Sequence, residues 1–168
     1  MPTLTFRQAS LFGWLFPLLA MAWALYLQHG LELEPCPMCV FQRIAMISLG
    51  MVWLTACVHN PANAVMRGFY AAAGALAAAV GAAIAGRHVW LQGLPEDQVP
   101  ACGPSLDYLL DIAPWQEVVA TVLRGDGNCA IIEASFLGLS IPAWTLITFL
   151  GLTILSLVIP LIAKTEHL

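Results

Sequence analysis

Apolar residues run almost unbroken through four stretches, at about 10–27, 40–58, 68–85 and 139–163. Each is close to or above the roughly 20 residues that a helix needs to cross hydrocarbon. Polar residues gather between them, in a short segment at 28–39, a connector at 59–63 and a long loop at 87–138. The pattern predicts an all-α membrane protein, a bundle of four transmembrane helices forming one membrane domain over 1–168. An even number of spans puts both termini and the short connector on one side, and both longer loops on the other.

The first stretch offers Ala22-Trp23-Ala24 as small residues at signal-peptidase spacing. Its apolar run is longer than a signal core and carries Trp14, Trp23 and Tyr26, so a retained span is expected. The third is dominated by alanine and glycine from Ala71 to Ala85. Small residues let helix backbones approach closely in lipid, so this helix should be central. The fourth holds Pro142 near its start, where a first-turn proline costs no hydrogen bond, and Pro160 near its end. Inside the long loop, Pro114 opens a helical pattern with Trp115, Val118, Val119, Val122 and Leu123 on one face. This predicts a short amphipathic helix, either lying on the bilayer surface or packed on the bundle.

Composition agrees with the pattern: 60% of the 168 residues are hydrophobic and 10% charged, where soluble domains carry roughly a quarter charged residues. A net charge of −4 argues against nucleic acid as a partner. Basic residues divide evenly, with Arg7, Arg67 and Lys164 on the terminal side and Arg43, Arg87 and Arg124 on the other. Nine acidic residues, from Glu32 to Glu133, fall in the two longer loops. Acidic residues carry little topological weight.

Candidate chemistry begins at Cys36-Pro37-Met38-Cys39. Such a pair can be a redox disulfide, half of a metal site or a structural staple. Cys39 would lie in the first turn of the second span, where unpaired N–H groups and the helix dipole favour a thiolate. Arg43, at i+4 from Cys39, adds a positive charge on the same face, or simply snorkels to the headgroups. Cys102 and Cys129 lie in the long loop, on the same side as the first pair. They form either a second redox pair on a mobile, turn-rich segment or a plain loop-closing disulfide. Cys57 lies about 27 Å further along the second helix at about 1.5 Å per residue, and reads as a small apolar residue. Two pairs on one side suggest a relay of thiol–disulfide exchange. No glycine-rich nucleotide loop is present, and Val40 after Cys39 rules out a haem-attachment motif. A relay needs a terminal electron acceptor, and a lipid-soluble quinone reaching the site through the membrane could serve. His88 and Gln92, at i and i+4 past the third span, offer polar groups for its carbonyls, although an interfacial histidine is commonly just solvated.

At these residues the chain resembles the bacterial disulfide bond formation protein B family, DsbB. The resemblance covers essentially the whole chain. It rests on the four spans, Cys36-x-x-Cys39 with Arg43, His88-x-x-x-Gln92, Cys102 and Cys129, and Phe136-Leu137-Gly138-Leu139 followed by Pro142-x-Trp144. It implies an inner-membrane bundle with both termini cytoplasmic and both loops periplasmic. It also implies a quinone-dependent thiol oxidase that reoxidises a soluble thioredoxin-like partner, DsbA. By resemblance, Cys102 forms the mixed disulfide with the partner, Cys129 resolves toward Cys36, and Cys39 hands electrons to ubiquinone or menaquinone. Arg43, His88 and Gln92 would contact the quinone. Gln42 departs from the acidic residue expected before this arginine, so no carboxylate role carries over. Two other classes compete: a thiolate metal-binding membrane protein using Cys36 and Cys39, and a structural protein with static disulfides.

Overall fold

The computed structural model describes residues 5–162; Lys164 and the end of the fourth apolar run at Ala163 lie outside the described residues. In chain order the elements are α1 (Phe6–Gly30), α2 (Pro37–His59), α3 (Ala64–Gln92), a 3-10 turn (Glu96–Gln98), α4 (Leu106–Ile112), α5 (Trp115–Arg124), α6 (Gly127–Ala130), β1 (Ser135–Phe136), β2 (Leu139–Ser140) and α7 (Ile141–Ile162). Four of them, α1, α2, α3 and α7, are long and apolar enough to cross a membrane.

Local chemistry sets the helix ends. Thr5 and Gln8 form a reciprocal capping box at the start of α1, satisfying two N–H groups that the first turn leaves open. Asn60 ends α2 in the left-handed region, φ 40°, its N–H returning to the Ala56 carbonyl at 2.9 Å. Pro61 cannot continue the helix, and Asn63 caps α3 by accepting from Val65 N at 2.8 Å. The connector thus reverses the chain within a few residues. α3 runs beyond its apolar stretch at both ends and carries His88 and Gln92 in helical geometry.

α3 is the most buried of the four long helices and α1 the least. It packs on α2 and most extensively on α7, while α1 packs on α2 and meets α7 only briefly. Small residues make this closeness possible. Trp53 of α2 is almost fully buried, and a Cβ added at Gly13 of α1 or Gly74 of α3 would come within 2.8 or 3.0 Å of its indole. Phe149 of α7, fully buried, occupies the space that a side chain at Gly81 would need. The outward faces carry Leu11, Phe12, Trp23, Ile47, Leu76, Val80, Leu150 and Ile154 exposed, the composition expected of a lipid-facing surface.

The long loop forms a cap over one end of the bundle. α5 reconciles the two expectations for it: Val118 and Val122 are buried against Met38, Ile84 and Leu91, while Trp115 and Leu123 remain exposed. Pro114 is the N-cap, not the first helical residue. Before α7 the chain makes a two-residue hairpin pairing Ser135 with Ser140 and Phe136 with Leu139. Leu137 and Gly138 both have positive φ, 52° and 80°, as a twisted-strand turn of this length requires. The last span therefore starts at Ile141, two residues later than its apolar pattern suggested.

The α3–α7 interface makes a direct prediction. Gly81→Ala forces the Phe149 ring or the helices apart and should cost about 1–3 kcal/mol. Gly68→Ala has no neighbour within 4 Å of the new Cβ and should be neutral or slightly stabilising. Thermal unfolding in detergent reads both; equal effects would contradict the packing described.

Candidate active site

Cys36 is the N-cap of α2, extended at φ −64°, ψ 163°, and Pro37 occupies the first helical turn. Proline is suited to that position because its missing N–H would lack a helical partner anyway. The head of the helix is held by Met38, fully buried in a cluster with Ile84 and Leu91 of α3, Val118 and Val122 of α5, and Cys129. Burial of this apolar cluster fastens the loop cap to the bundle beside the Cys36-x-x-Cys39 turn.

α5 then delivers Cys129. Arg87 stacks over Trp90, 4.1 Å from the ring centroid, and donates to the Arg124 carbonyl at 2.9 Å, closing the C-terminus of α5 with a cation. Asp126 caps the single turn α6, its side chain accepting from Cys129 N at 3.2 Å. Cys129 is thereby buried.

The outer cysteine is pinned to the same turn. Gly127 N donates to the Ala101 carbonyl at 3.2 Å, and Asn128 Nδ2 donates to the Gly103 carbonyl at 3.5 Å. A Cβ on Gly127 would lie 2.8 Å from the Pro100 carbonyl oxygen and 3.1 Å from Cys102 Sγ. Cys102 itself is exposed. One sulfur of the loop thus faces solvent and the other faces the bundle.

Cys36 Sγ is 3.2 Å from Cys39 Sγ and 3.8 Å from His88 Nε2. The reactive atoms of Cys36, His88 and Cys129 all lie within 4.8 Å of one another. One sulfur at the head of α2 is therefore within reach of partners from both pairs. All five cysteines are free thiols in this structure. A hydrogen bond with the Cys36 thiol, reinforced by burial, holds the Cys129 thiol well above the ordinary cysteine range.

The polar residues around the sulfurs take specific partners. His88 is buried, its Nδ1 3.1 Å from Nε2 of Gln42, also buried. Arg43 shares the α2 face with Cys39 but turns its guanidinium to α1, donating to Gln28 Oε1 and, at 3.2 Å, to the Ala24 carbonyl. Gln92 accepts the Ser140 hydroxyl at 2.6 Å, tying the end of α3 to the hairpin. Cys57 is half-buried towards the far end of α2. Gln42, Gly127 and Ser140 were not evident as site residues in the sequence. Their only signal was a polar amide one turn into an apolar helix, a glycine two residues before a cysteine, and a serine beside the last span.

Two consequences follow for the reduced protein. Cys102 should be alkylated first, and Cys129 much more slowly, with a rate that keeps rising with pH beyond the ordinary thiol range because its thiolate is disfavoured. Gly127→Ala should push Cys102 away from α6 and slow Cys102–Cys129 disulfide formation by about tenfold or more. Timed alkylation with mass spectrometry measures both; equal reactivity of the two thiols would contradict the placement of Cys129.

Comparison with known proteins bears on what this cluster does. The family model described as "Disulfide bond formation protein DsbB" matches residues 6–159. A protein of Saccharophagus degradans named "Disulfide bond formation protein B" is 52% identical over 133 residues, covering 79% of this chain and 80% of its own. Proteins of the same name from Acinetobacter baumannii and Chromohalobacter salexigens are 46% and 48% identical, covering 92% and 90% of this chain and 90% and 88% of their own. With four membrane-length helices and thiols gathered at one end of the bundle, the chain belongs to the DsbB family and is a disulfide-generating membrane oxidoreductase.

Proposed function

We propose that this oxidoreductase takes electrons from a soluble periplasmic dithiol oxidase of the DsbA kind and passes them to membrane quinone, ubiquinone or menaquinone. It would sit in the bacterial inner membrane with both termini cytoplasmic and the loops carrying the four clustered cysteines periplasmic. The observation that supports this most is the position of Cys36 Sγ, in reach of both Cys39 and Cys129, while Cys102 is open to a large partner.

In this reading a donor thiolate attacks Cys102 of a Cys102–Cys129 disulfide and expels Cys129. Cys129 attacks Cys36, forming Cys36–Cys129, breaking Cys36–Cys39 and leaving the electron pair on Cys39. The donor's second thiolate attacks its own sulfur in the mixed disulfide and expels Cys102. Cys102 attacks Cys129 and expels Cys36. One dithiol has been oxidised, the loop disulfide is restored, and Cys36 and Cys39 hold the two electrons. Quinone, when bound, supplies the acceptor of two electrons and two protons that reoxidises this pair.

The residues present fit such a group. Guanidinium has five N–H donors in a fork, of which those to Gln28 and Ala24 account for two. Arg43 can therefore hold a carbonyl oxygen and steady a thiolate at Cys39. Gln92 uses its carbonyl towards Ser140, which keeps its amide group for a carbonyl. Both ring nitrogens of His88 have partners, so it would line the site with its ring.

Reduction of a short-chain ubiquinone by the purified protein, with a reduced DsbA-type donor, tests the reading. Wild type should reduce quinone; Cys39→Ser and Cys102→Ser should abolish it, and Arg43→Ala should slow it by about tenfold or more, a larger effect than the loss of stability that follows from its bonds to Gln28 and Ala24. A folded wild-type protein that leaves both donor and quinone untouched would overturn the proposal, and normal quinone kinetics in Arg43→Ala would remove that residue's role.

A further inference from the structure

Gln42 and His88 are among the few buried polar side chains in the described bundle, 6% and 2% exposed. They come from different helices, α2 and α3, and they meet each other at 3.1 Å. Burying an amide and an imidazole costs free energy unless they are paired, so the pair is maintained at some expense at one location, behind Cys36. The far nitrogen of the ring, Nε2, is the one that faces Cys36 Sγ, at 3.8 Å.

The geometry points to Gln42 as a positioning residue that fixes the His88 ring and its tautomer, so that the Nε2–H group receives the charge on Cys36 each time the Cys36–Cys129 disulfide is broken. This rests on the exchange order proposed above. With the Gln42 NH2 group donating to Nδ1, a neutral ring must carry its proton on Nε2. That N–H aims at the sulfur where negative charge develops, which is the arrangement that lowers a barrier without reorganisation. In the step itself, Cys102 thiolate attacks Cys129 Sγ. The Cys102–Cys129 bond forms, the Cys129–Cys36 bond breaks, and the electron pair leaves on Cys36. The step is redox-neutral and needs no further reactant; the proton of a neutral ring stays on Nε2 as a hydrogen bond to the thiolate, and only an imidazolium passes its Nε2 proton to the sulfur, keeping the other on Nδ1 where the Gln42 oxygen accepts it.

An amide suits this task in a way that a carboxylate does not. A glutamine can turn over, donating to Nδ1 of a neutral ring or accepting from Nδ1–H of an imidazolium, so the ring keeps its place in both states. A carboxylate only accepts, and would hold the ring in its charged form. The two sulfurs of the disulfide also differ. Burial disfavours a thiolate on Cys129, whereas Cys36 has His88 Nε2 beside it, and the better-supported leaving sulfur departs faster. Attack at Cys129 with departure of Cys36 is then the favoured direction. The titratable groups facing His88 are Cys36 from α2, with Cys39 beyond it, and Cys129 from α6. Arg43 is turned to α1, and Arg87 to Trp90 and the end of α5.

The test uses quinone-free, fully oxidised full-length protein mixed with dithiothreitol and quenched with a maleimide at timed intervals. Appearance of modified Cys36 and Cys102 is followed by mass spectrometry between pH 6 and 9. His88→Phe should slow release of Cys36 by about a hundredfold or more, the scale of lost proton and hydrogen-bond assistance. Gln42→Leu should slow it by roughly tenfold, and Gln42→Glu should keep the rate near neutrality while moving the pH profile to the alkaline side. The 15N resonances of His88 should place the proton on Nε2 in wild type and on a mixture of both nitrogens in Gln42→Leu. Gln42→Glu conserves volume and keeps the test decisive if Gln42→Leu does not fold. A wild-type rate and pH profile in either folded Gln42 variant would overturn the inference. Failure of wild type itself to pass electrons from Cys102 to Cys36 would instead overturn the exchange order beneath it.

Discussion

Thiol–disulfide exchange demands that one sulfur approach two others in turn, and here Cys36 meets that demand. It does so by standing at the very head of α2, where the chain has not yet committed its side chains to the helix surface. Cys39 is one turn away on the same helix, Cys129 arrives from the loop cap, and His88 from the end of α3. Everything else at this end of the bundle serves to keep those three approaches simultaneous. Met38 binds the helix head to α3 and α5 through apolar contact, and Arg87 closes α5 from below. The exposed Cys102 is tied to the Gly127 turn.

The bundle beneath has a simpler logic. Lipid offers no hydrophobic drive between helices, so association relies on close packing and shape. The small face of α3 accepts two of the largest buried rings, Trp53 from α2 and Phe149 from α7. That closely packed helix is the one that carries His88 at its far end. The sulfur and nitrogen that lie 3.8 Å apart, Cys36 Sγ and His88 Nε2, are thus found at one end of the most buried span, while the exposed sulfur of Cys102 is on the loop.

Patterns that repeat along the chain were readable without coordinates. Four apolar runs, the cysteine pair at a helix start, and His88 and Gln92 one turn apart all follow from local spacing. Pairings between distant segments were not. The Gln42–His88 bond joins residues 46 apart, and Gln42 alone looks like an ordinary polar residue near an interface. Arg43 lies one helical turn from Cys39 on α2, but its partners Gln28 and Ala24 lie on α1, which helical periodicity in α2 cannot reveal. The α5 pattern marked an apolar face correctly, yet which part of that face meets protein depends on Met38 and Leu91, far away in sequence. The hairpin before α7 was hidden because its residues, Phe136 to Leu139, read as the apolar approach to a span.

The central claim, that Cys36 is the sulfur shared by both pairs, is tested most directly by disulfide mapping. A Cys39→Ser, Cys102→Ser double variant retains only Cys36, Cys57 and Cys129. After mild oxidation in detergent, the geometry predicts an intramolecular Cys36–Cys129 disulfide with Cys57 still free. Cys36 and Cys129 remaining as thiols in a folded monomer, or pairing only between molecules, would contradict it.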